Sequence, residues 1–238
     1  MGGEVVQLVL PVSQHSEKTF LNMVTGENQL LKNQIETAIQ GLSQDDKTRI
    51  FYVHGNAGVG KTHILLASVE LATQLGLSCR YVDMEVLVNF PTEVMSEISD
   101  DALICIDNTQ RLAESAQWQR MIFDLINQCI EKSSRCILFS ANASVSNLKL
   151  SLPDLASRLT WGMTFRITEL DDVDKATAMK AMAHQKGMEA PDEVVDFVLK
   201  RSNRNMHDIE RIVEHLDKAS LQHQRKLTIP FVKESLVF

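Results

Sequence analysis

Apolar residues recur at helical spacing over residues 27–42, where Leu31, Ile35, Ala38 and Leu42 share one face and the segment closes near Gly41. The run Ile50-Phe51-Tyr52-Val53 is apolar throughout and leads into a glycine cluster, which predicts a buried strand and a tight turn. Helical spacing returns over 61–75 and stops at Gly76. Cys79 to Met84 reads as a strand, and Ala102 to Ile106 as a continuous apolar strand central to a parallel sheet. Trp118, Met121, Ile122, Leu125, Ile126 and Cys129 mark a helix, Cys136 to Phe139 a further strand, and Met163 to Leu170 the last strand. Helices are then predicted at 173–186, 192–201 and 205–222. Gly187 ends the first, Pro191 starts the second, and a short closing helix begins after Thr228 with Pro230 in its first turn. Alternating strands and helices followed by helices alone predict an α/β unit and then a small all-helical one.

Composition narrows the class. A chain of 238 residues, 44% hydrophobic, makes one or two domains and buries a core without needing disulfides. No apolar run approaches the roughly 18 residues of a membrane span, and the opening Met1-Gly2-Gly3-Glu4 lacks the basic start of a secretory signal. Twenty-four Lys and Arg against 31 Asp and Glu give a net charge of −7, which disfavours a broad DNA-binding face and leaves room only for a local basic patch. Cys79, Cys105, Cys129 and Cys136 form no C-x-x-C and have no histidine at ligand spacing, so reduced, mostly buried thiols in a cytoplasmic protein are expected.

The chemistry concentrates in Gly55-Asn56-Ala57-Gly58-Val59-Gly60-Lys61-Thr62, a full match to G-x-x-x-x-G-K-[ST] between a strand and a helix. Glycines let such a loop curl its N–H groups inward onto phosphate oxygens, and the helix N-terminus adds its positive end. Lys61 then reaches the β- and γ-phosphates and Thr62 ligates Mg²⁺. The apolar strand through Ile106 ends in Asp107, placed to hold the Mg²⁺ shell, although an Asp there also starts a loop or caps a helix. Asn108 stands where a hydrolysing enzyme wants a second carboxylate to polarise water, so slow intrinsic hydrolysis is expected.

The P-loop, the Asp107 strand, the strand ending near Asn142, the segment Leu152-Pro153-Asp154-Leu155-Ala156-Ser157-Arg158-Leu159-Thr160-Trp161-Gly162 and the helical tail appear in that order. This resembles an AAA+ module, most like the nucleotide-binding domain of the bacterial replication initiator DnaA. Closer still is the Hda family of small DnaA-related proteins that inactivate DnaA, to which the tail Gln224 to Glu234 is strongly similar. The resemblance spans essentially the whole chain. It implies an α/β fold with a five-stranded parallel sheet and a helical lid, divided as a tail at 1–18, an AAA+ base at 19–168 and a lid at 169–238. It implies bound ADP or ATP with Mg²⁺.

The resemblance also assigns roles. Thr19 to Gly26 looks like the segment packing against adenine, with Phe20 and Val24 as its apolar contacts, a role compatible with ordinary core packing. Asn142 matches the first sensor near the γ-phosphate, where residue type alone suggests a turn former. Arg158 matches the arginine finger presented to a neighbour's nucleotide; a surface ion pair is the bland alternative. His207 falls where the second sensor is usually an arginine, a departure that nearby Arg204 could offset and that makes a diphosphate-bound working state more plausible. Gln7-Leu8-Val9-Leu10-Pro11-Val12 is similar to the peptide that docks on the bacterial sliding clamp, with Gln7, Leu8, Leu10 and Pro11 as its contacts; an edge strand is the other reading.

The functional expectation is a cytoplasmic negative regulator of replication initiation. With the DNA-loaded clamp it promotes hydrolysis of ATP on DnaA through Arg158, contacts DNA mainly through its partners, and self-associates. An initiator-type DNA-binding domain is not expected after the lid, nor a membrane association. The alternative is a helicase-loader-like or autonomous AAA+ NTPase.

Overall fold

The computed structural model describes residues 18–42, 47–95, 98–203 and 205–236. The described residues divide into two compact units, one from 18–21, 29–56 and 61–167, the other from 22–28, 57–60 and 168–236.

The first unit is built on a five-stranded, all-parallel sheet. Its strands are β1 (Arg49–His54), β2 (Cys79–Asp83), β3 (Leu103–Asp107), β4 (Cys136–Ala141) and β5 (Met163–Arg166), in spatial order β2-β3-β4-β1-β5. The three central strands are almost wholly buried, which is why they read as unbroken apolar runs: both faces are covered. On one face Ile50, Tyr52, Ile104, Ile106, Ile137 and Phe139 pack with Trp118, Ile122, Leu125 and Ile126 of α4 (Ala116–Lys132) and Leu155 and Leu159 of α5 (Pro153–Trp161). Alternation sends their neighbours to the other face, where α2 (Lys61–Gln74) packs on the sheet and α1 (Gln29–Gln40) packs on α2.

Three readings are corrected. The last strand ends at Arg166 rather than 170, because the Asn28 side chain takes both Thr168 backbone groups: its Nδ2 donates to Thr168 O at 2.8 Å and its Oδ1 accepts from Thr168 N at 2.8 Å. Met84 is no strand residue; Asp83 accepts from the Glu85 N–H and caps a single-turn helix, α3 (Met84–Leu87). Residues 153–161, read only as a motif, are the helix α5, with Pro153 in its first turn.

The second unit carries α6 (Asp172–Gln185), α7 (Asp192–Leu199), α8 (Met206–His223) and α9 (Ile229–Ser235). Met179, Val194, Val198, Ile209, Val213, Leu216, Phe231 and Val232 form its separate core. Lys175 is buried there, its ammonium 2.6 Å from Glu169. Among the described residues no helix is long and apolar enough to cross a membrane, and no group of His, Cys, Asp and Glu is arranged to hold a metal by itself. Cys105, Cys129 and Cys136 are buried free thiols, and Cys79 is half-buried.

Candidate functional site

The strand order brings the site together. β3, β4 and β1 are neighbours and parallel, so the residues after all three emerge at one sheet edge, where ligands of such sheets bind. The P-loop follows β1, Asp107 ends β3, and Asn142 follows β4.

The loop has the geometry its glycines predict. Gly58 lies at φ +77° and Gly60 at φ +101°, conformations that side chains disfavour. A Cβ built on Gly60 meets nothing within 4 Å, so the loop leaves open space there, while Val59 is buried and anchors it. The Lys61 ammonium donates to Gly55 O at 2.8 Å and Asn56 O at 2.7 Å, so the loop curls around its own lysine. Burial lowers the Lys61 pKa and the Asp107 charge opposes that. His54, at the end of β1, has its pKa lowered by burial and then by Arg166 and Lys61.

Asp107 is 1% exposed and accepts four hydrogen bonds. Oδ2 receives the Thr62 hydroxyl at 2.7 Å and the Tyr81 hydroxyl at 2.9 Å; Oδ1 receives the Asn108 N–H at 2.9 Å and the Ser140 hydroxyl. Burial, followed by the Asp107 charge and hydrogen bond, pushes the Tyr81 phenol far above its ordinary pKa, so it remains a donor. A hydroxyl and a buried carboxylate meeting beside a phosphate-type loop are hard oxygen groups of the kind Mg²⁺ takes. These residues fit a Mg-nucleotide: Thr62 and Asp107 would hold the ion, which would neutralise phosphate charge, and Lys61 with the loop amides would bind the phosphates.

A second chain of contacts runs along the same edge. The Asn108 amide donates to Asp83 Oδ1 at 2.8 Å, and Gln110 Nε2 donates to Asn108 Oδ1 at 3.2 Å. Gln110 Oε1 in turn accepts the Asn142 N–H at 3.2 Å. Asn108 adopts φ +56°, a left-handed turn that Asn tolerates. Gln110, Tyr81 and Ser140 carried no sequence signal; they are found only through long-range contacts. The Asn142 side chain itself is exposed.

In the adenine-like segment, Phe20 is buried and its carbonyl accepts Lys32 Nζ at 2.6 Å, while the Thr19 carbonyl lies 3.1 Å from the His63 ring in the first turn of α2. Phe20 is thus a core residue of the first unit, whereas Val24, half-buried, belongs to the second. Within the second unit, a Cβ built on Gly58 would lie 3.4 Å from Asn205 Cβ and 3.6 Å from His207 N, so the N-terminus of α8 abuts the loop apex. Asn205 caps that helix by accepting from Asp208 N at 2.8 Å and donating to Asp208 Oδ2 at 2.7 Å. The His207 side chain is exposed, and Arg204 lies outside the described residues.

Arg158 sits in the last turn of α5, its guanidinium 4.9 Å from the ring centre of Trp161, which is 61% exposed. Among the described residues it makes no ion pair, so the bland reading of a surface salt bridge finds no partner there. Gln7, Leu8, Leu10 and Pro11 lie outside the described residues.

Comparison with known proteins agrees with this fold. The family model of the bacterial DnaA ATPase domain matches residues 14–166, and that of the Hda lid domain matches residues 172–236. Domain III of the Thermotoga maritima replication initiation protein DnaA superposes with a TM-score of 0.79 at 19% identity, over 96% of this chain and 97% of that one. AMPPCP-bound DnaA from Aquifex aeolicus gives 0.70 at 22%, over 87% of this chain and 66% of that one. The Thermotoga maritima RuvB Holliday junction branch migration motor gives 0.65 at 17%, over 91% and 72%.

Proposed function

The chain belongs to the bacterial DnaA ATPase family and carries an Hda-type lid, and from that premise we propose that it is a regulator that turns off ATP-bound DnaA. In this reading it binds ADP or ATP with Mg²⁺ at the P-loop, docks on the DNA-loaded sliding clamp through Gln7, Leu8, Leu10 and Pro11, and presents Arg158 to the nucleotide of DnaA. A guanidinium supplied in trans neutralises charge that develops in phosphoryl transfer. Asn142 serves as sensor, and His207 faces its own nucleotide from the lid. Self-association and cytoplasmic residence, the latter in keeping with the free thiols, belong to the same proposal.

The observation that carries it is Arg158. It is stacked on an exposed tryptophan and has no carboxylate partner among the described residues, which supports a role for its donors at a partner's nucleotide. The test measures loss of labelled ATP from pre-loaded DnaA with DNA-loaded clamp, with and without this protein. Acceleration that needs the clamp and disappears in Arg158→Ala is expected. No acceleration by a folded, nucleotide-binding protein overturns the reading. The autonomous NTPase is favoured by the complete P-loop and Asp107 pair, and rapid ATP turnover by the protein alone would select it.

A further inference from the structure

Thr62 and Asp107 account for the Mg²⁺ chemistry that the motif announces, but they do not explain why the carboxylate stays where it is. An ionised carboxylate offers about four lone-pair sites, and those of Asp107 are all taken. The donors divide by oxygen. Oδ1 is held from within its own strand end and from β4, by Asn108 N–H and Ser140. Oδ2 is shared by Thr62, the residue that would ligate the ion, and Tyr81. Tyr81 comes from β2, an edge strand that contributes no motif residue; its backbone is in register with Cys105, two residues before Asp107. Its ring therefore reaches along β3 to the strand end.

We propose that Tyr81 is a positioning residue for the Mg²⁺ of the bound nucleotide: its hydroxyl, 2.9 Å from Asp107 Oδ2, fixes the carboxylate oxygen that faces Thr62. This rests on the nucleotide reading of the P-loop. The physical reason is selective. Thr62 is the one donor to Oδ2 whose oxygen must turn to the metal, and Tyr81 is the one that remains to orient that oxygen. Ser140 and the Asn108 backbone N–H hold Oδ1, and once the Thr62 oxygen turns to the metal Tyr81 is the described donor left on Oδ2.

The experiment titrates ADP onto the full chain and its Tyr81→Phe variant, first in EDTA and then across a Mg²⁺ series, with melting temperatures recorded without ligand. Tyr81→Phe should bind ADP in EDTA within about twofold of the parent. The Mg²⁺ concentration that half-saturates the metal-dependent gain should rise about tenfold, the lower end of what losing an outer-shell partner costs a metal site. An unchanged Mg²⁺ midpoint overturns the proposal. So does an equal loss of affinity with and without Mg²⁺, which would mean that Tyr81 merely supports the fold. If Tyr81→Phe does not fold, Tyr81→Met, which also removes the hydroxyl that donates to Asp107 Oδ2, takes its place, and an unchanged Mg²⁺ midpoint there overturns the proposal. A parent protein that binds no ADP in either condition overturns the P-loop reading itself, which separates that failure from this one.

Discussion

Asn108 is where residue chemistry and geometry combine most directly. Its amide is held by Asp83 at 2.8 Å, with the Glu85 N–H on the same carboxylate oxygen at 2.9 Å. An amide there cannot take a proton from water at neutral pH, so hydrolysis by this chain is expected to be slow. The obvious repair, Asn108→Asp, fails for an electrostatic reason: it sets two carboxylates within hydrogen-bond distance, and like charges that close drive one to protonate. Exchanging both residues keeps the hydrogen bond and moves the negative charge to position 108. Phosphate release by the purified protein should therefore rise at least about tenfold, the low end of general-base gains reduced for imperfect placement, in Asp83→Asn with Asn108→Asp, and little in Asn108→Asp alone. Equal rates in the single and double variants would show that Asp83 does not control the position.

At the scale of elements, what the sequence made legible followed from burial. Central strands covered on both faces read as plain apolar runs, and Gly76 and Gly187, at φ +70° and +73°, end helices as expected. The P-loop and Asp107 were legible because their chemistry demands fixed residue types at fixed spacing. Tyr81, Ser140 and Gln110 were not, since each acts across 26 to 33 residues of separation and no local pattern encodes such a contact. The end of the last strand was misjudged because Asn28, 140 residues away, claims Thr168. The junction of α5 and β5 carries the same lesson. Gly162 has an ordinary φ of −87°, yet a Cβ built on it would collide with the Ile50 carbonyl of β1. Gly162→Ala must push α5 and β5 off β1. It should destabilise the protein by about 1–3 kcal/mol, as overpacking does, read as a lower urea midpoint. Because Trp161 immediately precedes that glycine and Arg158 lies one helical turn before it, the proposed stimulation of ATP loss from DnaA should fall more than ADP affinity does. Unchanged stability would mean that the backbone yields at no cost.

For the whole molecule, stability and partnership give separate tests. His54 is held neutral by burial, Arg166 and Lys61, so its folded pKa lies below the unfolded value of 6.5. Above both values it contributes no pH dependence. As pH falls through 6.5 the unfolded chain takes up a proton that the folded one resists, so stability declines until the lowered folded pKa is passed. Urea midpoints between pH 7.5 and 5.5 should fall less for His54→Asn than for the parent; identical slopes would remove His54 as a cause. Partnership turns on the acidic balance of −7, which gives the chain little attraction of its own to DNA phosphates. Under the proposed function, any dependence of its action on DNA should then pass through the clamp and residues 7–11. In the proposed docking, Leu8 and Leu10 would fill an apolar cleft while the Gln7 amide bonds at its rim, so affinity would reside in a few side chains. Gln7→Ala with Leu10→Ala should leave melting temperature and ADP affinity unchanged, lose clamp in a pull-down, and abolish clamp-dependent ATP loss from DnaA. If the double variant still binds clamp, the tail is not the docking element; if it loses clamp yet still accelerates hydrolysis, recognition of DnaA through the AAA+ module suffices without it.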